Sequence, residues 1–275
     1  MRSIKIRVIR STCIFGLLLL VEAFPLLCYA QTTSKEQSAS QATAQPNLLS
    51  ITIVRVKPEM DTAFRNLMRS RTNPALRRGG MKWRDVWQTA QFGDLFEYVI
   101  VAPVENFAQY DSPTALERGL GGEASYDAWR QEVGRYLMEA RTYAARFRPD
   151  LSYETEMTAP PKMGVVNFYH VVPGRSSDFE EILRSDFLPV MRRSQIRGFW
   201  VSQTQFGGDA NEYMTLALHE NYAEIDRGSP PARVLGQERA SELFRKLTRE
   251  NVTRQERTVI RFVPELSFRQ SQAAR

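Results

Sequence analysis

Between residues 48 and 268 the hydrophobic positions change period in one fixed order, and that order is run through twice. Leu49 to Val56 alternates as a strand does, and so does Gly164 to Val172. Phe64, Leu67, Met68 and Leu76 then recur at three-to-four spacing, matched by Phe179, Ile182, Leu183, Val190 and Met191. This predicts an amphipathic helix in each run. Pro74 and Pro189 predict an interruption at the same place in both helices, because proline lacks an amide donor and crowds the preceding turn. Ser177 with Glu180 reads as a capping box at the start of the second. Extended runs follow at Lys82–Phe92 and Arg197–Phe206, ended by Gly93-Asp94 and Gly207-Gly208-Asp209. These turn signals lead into Phe96–Val104 and Tyr213–His219, so a hairpin is expected in each run. Short helix mixed with loop is expected over Asp111–Gly122 and Asp226–Gly236. A helical face comes next, from Tyr126, Trp129, Val133 and Leu137, and from Ala240, Leu243, Phe244 and Leu247. Thr142–Arg148 and Thr258–Val263 close the two runs as strands.

The two runs align at an offset of 115 residues. Pro58 then matches Pro173, Phe64 matches Phe179, and Pro74 matches Pro189. Glu97-Tyr98 matches Glu212-Tyr213, and Pro149-Asp-Leu-Ser-Tyr153 matches Pro264-Glu-Leu-Ser-Phe268. Matches spread over a hundred residues at one offset mean a duplicated domain. The expected boundaries are 48–158 and 159–275. Each repeat reads βαββαβ, a ferredoxin-like α+β unit with both helices on one side of an antiparallel sheet. The bare faces of two such sheets are best covered by each other. The fold expected is therefore two tandem ferredoxin-like repeats packed sheet-to-sheet as a pseudo-dimeric α/β barrel. The phrase Asn167-Phe-Tyr-His-Val-Val-Pro-Gly174, the helix at Phe179, Asn211-Glu-Tyr213 and Glu220-Asn-Tyr-Ala223 resemble the dimeric α/β-barrel superfamily, nearest its NIPSNAP-type and antibiotic-biosynthesis-monooxygenase-type domains. The resemblance covers residues 48–268 and rests on folding motifs, so it implies the fold and leaves the activity open.

The ends of the chain change the reading of its charge. Arg2, Lys5, Arg7 and Arg10 precede an apolar stretch from Cys13 to Leu27, and Cys28-Tyr29-Ala30 has the shape of a cleavage site. Residues 1–30 are thus expected to be a signal peptide cleaved after Ala30, with the protein periplasmic or secreted and holding no stable membrane anchor afterwards. Residues 31–47, rich in Ser, Thr, Gln and Ala, are expected to be a flexible linker. Losing the leader removes four basic residues and one acidic, so the formal charge falls from +6 to +3. It also removes both cysteines, leaving no disulfide, thiolate ligand or cysteine nucleophile. Arg77-Arg78 and Arg192-Arg193 stand at helix ends, where cations complement the carbonyl dipole, and acidic residues nearly balance the basic ones. No nucleic-acid partner is expected. A chain that carries both halves of its own pseudo-dimer is expected to be monomeric.

Alternation also suggests where chemistry could sit. If the more polar set lines the barrel, Thr52, Val54, Asn167 and Tyr169 point inward, while Ile51, Ile53, Val166 and Phe168 face the helices. The same rule sends Tyr98 and Tyr213 inward, and sends Arg146 and Arg261 inward opposite Phe147 and Phe262. Trp83, Asp85 and Trp87 add a wall. The expected ligand site is Tyr98, Tyr213, Arg146, Arg261, Asn167, Tyr169 and Trp87, between the two sheets. A guanidinium fork suits a carboxylate and aromatic walls suit a flat body, so an acidic or aromatic metabolite is the ligand class. The plainer alternative pairs the arginines with a neighbouring carboxylate such as Asp85. His170 and His219 are the only histidines. His219, of barrel-facing parity, is the candidate for proton transfer, and His170 reads as structural. Two distant histidines and no cysteine do not make a metal site.

No cofactor is implied, and haem stays open. Haem-degrading members of the superfamily pair a first-strand Asn with a Trp and a His. Asn167 matches the first of these, but the third strand does not end in Trp and the following helix has no His. The long motifs of chlorite dismutase-like proteins, also tandem barrels, are not found either. Two further readings remain beside ligand binding. One is a cofactor-independent monooxygenase-like enzyme using His219, Asn167, Trp83 and Trp87. The other is a non-catalytic interaction module whose barrel is filled by side chains.

Overall fold

The computed structural model describes residues 47–156 and 159–270. The expected signal peptide and the linker up to Pro46 lie outside the described residues. The first repeat consists of β1 (Leu48–Val56), α1 (Asp61–Leu67), α2 (Asn73–Arg78), β2 (Trp83–Thr89), β3 (Glu97–Val104), α3 (Ala115–Leu120), α4 (Glu123–Tyr136), β4 (Leu137–Phe147) and a short β5 (Tyr153–Glu154). The second has β6 (Met163–Val171), α5 (Ser176–Ile182), α6 (Leu188–Arg193), β7 (Gly198–Phe206) and β8 (Glu212–His219). It continues with α7 (Tyr222–Asp226), α8 (Pro230–Leu235), α9 (Gln237–Thr248), β9 (Val252–Phe262) and a short β10 (Phe268–Arg269).

Eight strands close into an antiparallel barrel in the order β2-β3-β1-β4-β7-β8-β6-β9, with β9 returning to β2. The expected α+β architecture is therefore present. The sheets do more than face each other: they are hydrogen-bonded along two seams, β4 with β7 and β9 with β2. Because β1, β2, β6 and β7 run one way and the other four run back, equivalent residues of the two repeats lie at the same end of the barrel.

The proline signal is expressed twice. Between α1 and α2 the helix widens to a π turn at Met68–Thr72, and between α5 and α6 it widens at Leu183–Phe187. Pro74 and Pro189 follow directly. A wider turn accommodates a residue that has no amide to donate and a ring that crowds the turn before it. The capping box does not form. Helix α5 begins at Ser176 without a side-chain cap, because Glu180 is held instead by Arg148 and Tyr213.

The closing motif of each repeat crosses to the other one. After β4, Leu151 enters the second repeat's core with Phe179, Leu183 and Leu247. Tyr153 packs there too, and its hydroxyl donates to the carbonyls of Met191 and Ile196, both at 2.9 Å. After β9, Val263 and Leu266 enter the first repeat's core with Phe64, Met68 and Tyr98. Each helix layer is thus completed by residues from the other repeat.

A third core fills the barrel. Its members are Ile51, Trp87, Val99, Val166, Leu216, Leu218 and Ile260, with Ile53, Phe168, Phe147 and Phe262 packed against them. This inverts the expected facing: the oily set points inward. The physical reason is that both faces of these strands are covered. The interior of an eight-stranded barrel is just wide enough for side chains to fill it, so burial there selects apolar residues. The tyrosines fit on the helix face, where their hydroxyls reach acids on the helices.

Candidate functional site

Two rows of side chains cross the outer, helix-facing surface of the barrel. In the second repeat's row, Arg146 on β4 stands beside Gln203 on β7. Gln203 stands beside Tyr213 on β8, and Tyr213 beside Tyr169 on β6. The first repeat's row runs from Arg261 on β9 through Gln88 on β2 and Tyr98 on β3 to Val54 on β1. Tyr and Arg share a face in each row. The expectation that Tyr98, Tyr213, Arg146, Arg261, Asn167 and Tyr169 line one cavity between the sheets does not hold. They lie outside the barrel, the tyrosines and arginines split between the two rows and Asn167 beside Thr215 and Arg257 in neither, and Trp87 alone of the set points inward. There Trp87 is 2% exposed and meets Phe262 edge-on at 5.2 Å.

An acid from the overlying helix anchors the tyrosine of each row. The Tyr98 hydroxyl donates to Asp61 Oδ1 at 2.5 Å, and that of Tyr213 to Glu180 Oε1 at 2.7 Å. Burial, and then the neighbouring carboxylate, push the Tyr98 hydroxyl up to about 12, and Tyr213 is raised by the same causes. Both tyrosines are therefore proton donors in a fixed network, not bases. Arg65 approaches Tyr98 at 3.4 Å and pairs with Glu265. Arg148 holds Glu180 and also Asp150, whose carboxyl it draws down to about 2. Tyr169 packs on Phe179 at 5.5 Å and, being buried, is also pushed up to about 12. Asn167 is held on three sides: its Oδ1 accepts from Arg257 at 2.6 Å and Gln255 at 3.1 Å, and its Nδ2 donates to Thr215 at 3.4 Å.

The rows differ at their arginines. Arg261 donates to Gln88 Oε1 at 2.6 Å. Arg146 has no hydrogen-bond partner among the described residues. It lines an open depression of about 530 Å³ together with Arg148, Gln203, Thr204, Gln205 and Ala210. In the first repeat's row Val263, which follows β9, stands where the other row has Arg148, which follows β4, so that row has one guanidinium rather than two. Sequence reading picked Arg146 but missed Arg148, whose signal was its direct precedence of the repeated Pro-acid-Leu-Ser motif.

No protein-family model and no curated protein matches the chain. Solved structures do. An anthrone oxidase-like protein superposes with a TM-score of 0.56 at 12% identity, over 80% of this chain and 92% of that one. A proposed monooxygenase from Lactobacillus acidophilus superposes at 0.54 and 10% identity, over 81% and 96%. A chlorite dismutase variant from Candidatus Nitrospira defluvii superposes at 0.51 and 7%, over 81% and 94%. The fold is that of the dimeric α/β barrels. At such identities the likeness is one of fold alone.

This dimeric α/β barrel does not bring His219, Asn167, Trp83 and Trp87 together. The tryptophans belong to the barrel's interior cluster, whereas Asn167 and His219 are on the outer face. His219 is 2% exposed, with Nδ1 3.4 Å from Glu224 Oε2, and burial lowers its pKa. His170 has interior parity and sits at one rim of the barrel, 3.4 Å from Glu212 and 3.7 Å from Asp209. Its counterpart Arg55 donates to Asp94 at 2.6 Å at the same rim. Glu97 and Glu212, both raised by burial, complete this ring of charges. Of the paired arginines, Arg78 donates to the Gly119 carbonyl at 3.0 Å and Arg77 lies 4.7 Å over the Phe268 ring. Gly119 itself has no room for a Cβ, which would fall 1.8 Å from the Ala75 carbonyl. Gly119 is therefore a close helix contact, whereas Gly121 and Gly122 serve the positive φ of the turn that follows.

Proposed function

We propose that the protein binds a small acidic molecule in the depression at Arg146 and Arg148, and that it does so outside the cell's cytoplasm after its leader is cleaved at Ala30. The observation that carries the reading is the difference between the two rows. Arg146 faces an open depression with no protein partner among the described residues, while its counterpart Arg261 is occupied by Gln88. A guanidinium offers a planar pair of donors to a carboxylate. Gln203 and Gln205 supply further amide contacts, and Arg148 adds positive potential although Glu180 and Asp150 already engage it. Gln203 stands beside Tyr213, whose hydroxyl is anchored on Glu180, so this edge of the depression is held in place before binding.

The test is calorimetric titration of the mature chain with mono- and dicarboxylates, beside the Arg146→Ala and Arg261→Ala variants. The proposal expects binding that Arg146→Ala weakens at least tenfold and Arg261→Ala leaves within twofold. Equal loss in both variants, or none in either, would sink the assignment. Amino-terminal sequencing of the exported protein should begin at Gln31, and an intact Met1 would refute export by cleavage.

A further inference from the structure

The first repeat buries a guanidinium with no anion beside it. Arg84 on β2 turns toward the helix layer and is 6% exposed. Its Nη1 donates to Asn73 Oδ1 at 2.7 Å, and its Nη2 lies 3.6 Å from Met68 Sδ. Both partners are neutral. Burial draws the Arg84 pKa down to about 10, and no carboxylate among the described residues offsets it. The adjacent Asp85 faces the other way and is taken by Arg269 at 2.5 Å. A buried charge is costly unless it is paired, so an uncompensated one marks a place where a partner belongs.

The fold itself does not ask for this charge. At the equivalent position of the second repeat stands Phe199, stacked on Phe187 with ring centres 6.1 Å apart. Leu183 and Leu188 stand there where the first repeat has Met68 and Asn73. Fewer helix residues are buried over Arg84 than over its twin. Helix α4 buries only Val133, whereas α9 buries Ala240, Leu243 and Leu247. Ile100, Trp129 and Tyr136 are only partly covered. Trp129 is fixed by donation from Nε1 to Thr72 Oγ1 at 2.9 Å, within the π turn that carries Met68.

We propose that the helix–sheet layer of the first repeat is a second binding site, in which Arg84 pairs with the carboxylate of a small aromatic or apolar acid. Asn73 holds the guanidinium in place, and Met68, Ile100 and Trp129 contact the acid's apolar body. The site is separate from the depression at Arg146, which lies at the seam of β4 and β7, and does not depend on it.

Thermal unfolding of the mature chain with and without sodium benzoate tests this, using wild type, Arg84→Met and Arg146→Ala. The expected result has three parts. Benzoate raises the wild-type Tm, the rise persists in Arg146→Ala, and Arg84→Met removes it while starting from an equal or higher Tm. A wild type that does not respond to benzoate overturns the proposal. So does an Arg84→Met variant that is less stable and still responds. If Arg84→Met fails to fold, the guanidinium NMR signal of Arg84 in the wild type decides: it must move on addition of benzoate, and a fixed signal refutes the site.

Discussion

Ser152 accepts the backbone amide of Val201 at 2.8 Å, which ties the end of the first repeat to the second strand of the other. Ser267 does the same to Val86 at 2.9 Å. The duplicated Pro-acid-Leu-Ser motif is therefore a reciprocal latch. The proline opens a tight turn, the leucine fills the opposite core, and the serine serves a strand amide that no neighbouring strand bonds. Ser152→Ala and Ser267→Ala should each destabilise by about 1–3 kcal/mol, the cost of a buried amide left without a partner. The sites are far apart, so the double variant should be additive in denaturant melts.

Leu151 and Leu266 carry the apolar half of the same exchange. Each is essentially fully buried in the other repeat's core. Truncation to Ala should cost about 2–5 kcal/mol. The first repeat alone, residues 48–158, should not unfold cooperatively, because it lacks Val263 and Leu266. A sharp, two-state melt of that fragment by circular dichroism would contradict the exchange as a folding requirement.

His219 gives the fold a pH dependence whose sign can be worked out. Burial lowers its folded pKa below the ordinary 6.5, so the unfolded chain binds the proton more tightly. Stability is then full above about pH 6.5 and declines as the pH falls through that value toward the folded pKa. His219→Gln should flatten the part of the stability profile between neutral and mildly acidic pH. A profile with unchanged slope would show that His219 is not responsible.

Trp87 separates the barrel interior from the outer face. Trp87→Ala should cost about 3–5 kcal/mol through the cavity it leaves. It should not change affinity at the Arg146 depression, which lies on the other side of the sheet. Titrating a folded Trp87 variant with the acid that wild type binds checks this.

These residues also show what could be read from sequence. Alternation located β1 and β6 almost to the residue, because each is paired on both edges and covered on both faces. It missed the first halves of β4 and β9. Met138–Arg141 and Thr253–Arg257 have only one partner strand each and are exposed on both faces, so burial never sorted their side chains. Alternation also grouped Tyr98 with Arg261, and Tyr213 with Arg146, without saying which face was which. Deciding that needs the closed barrel, since polarity is a poor guide once both faces are buried. Arg84 carried no signal: it stands in an extended run, and only its placement among Asn73, Met68 and the helix layer makes its charge conspicuous.

The proposed ligand is held on the outer face at Arg146 and not inside the barrel. Native mass spectrometry of the mature protein, purified gently from its own secreted or periplasmic fraction, tests it most directly. With the Arg84 site removed by Arg84→Met, a small acidic adduct should be retained in Arg261→Ala and lost in Arg146→Ala. An adduct that survives Arg146→Ala and disappears only when Trp87 is replaced would place the ligand in the barrel and contradict the account.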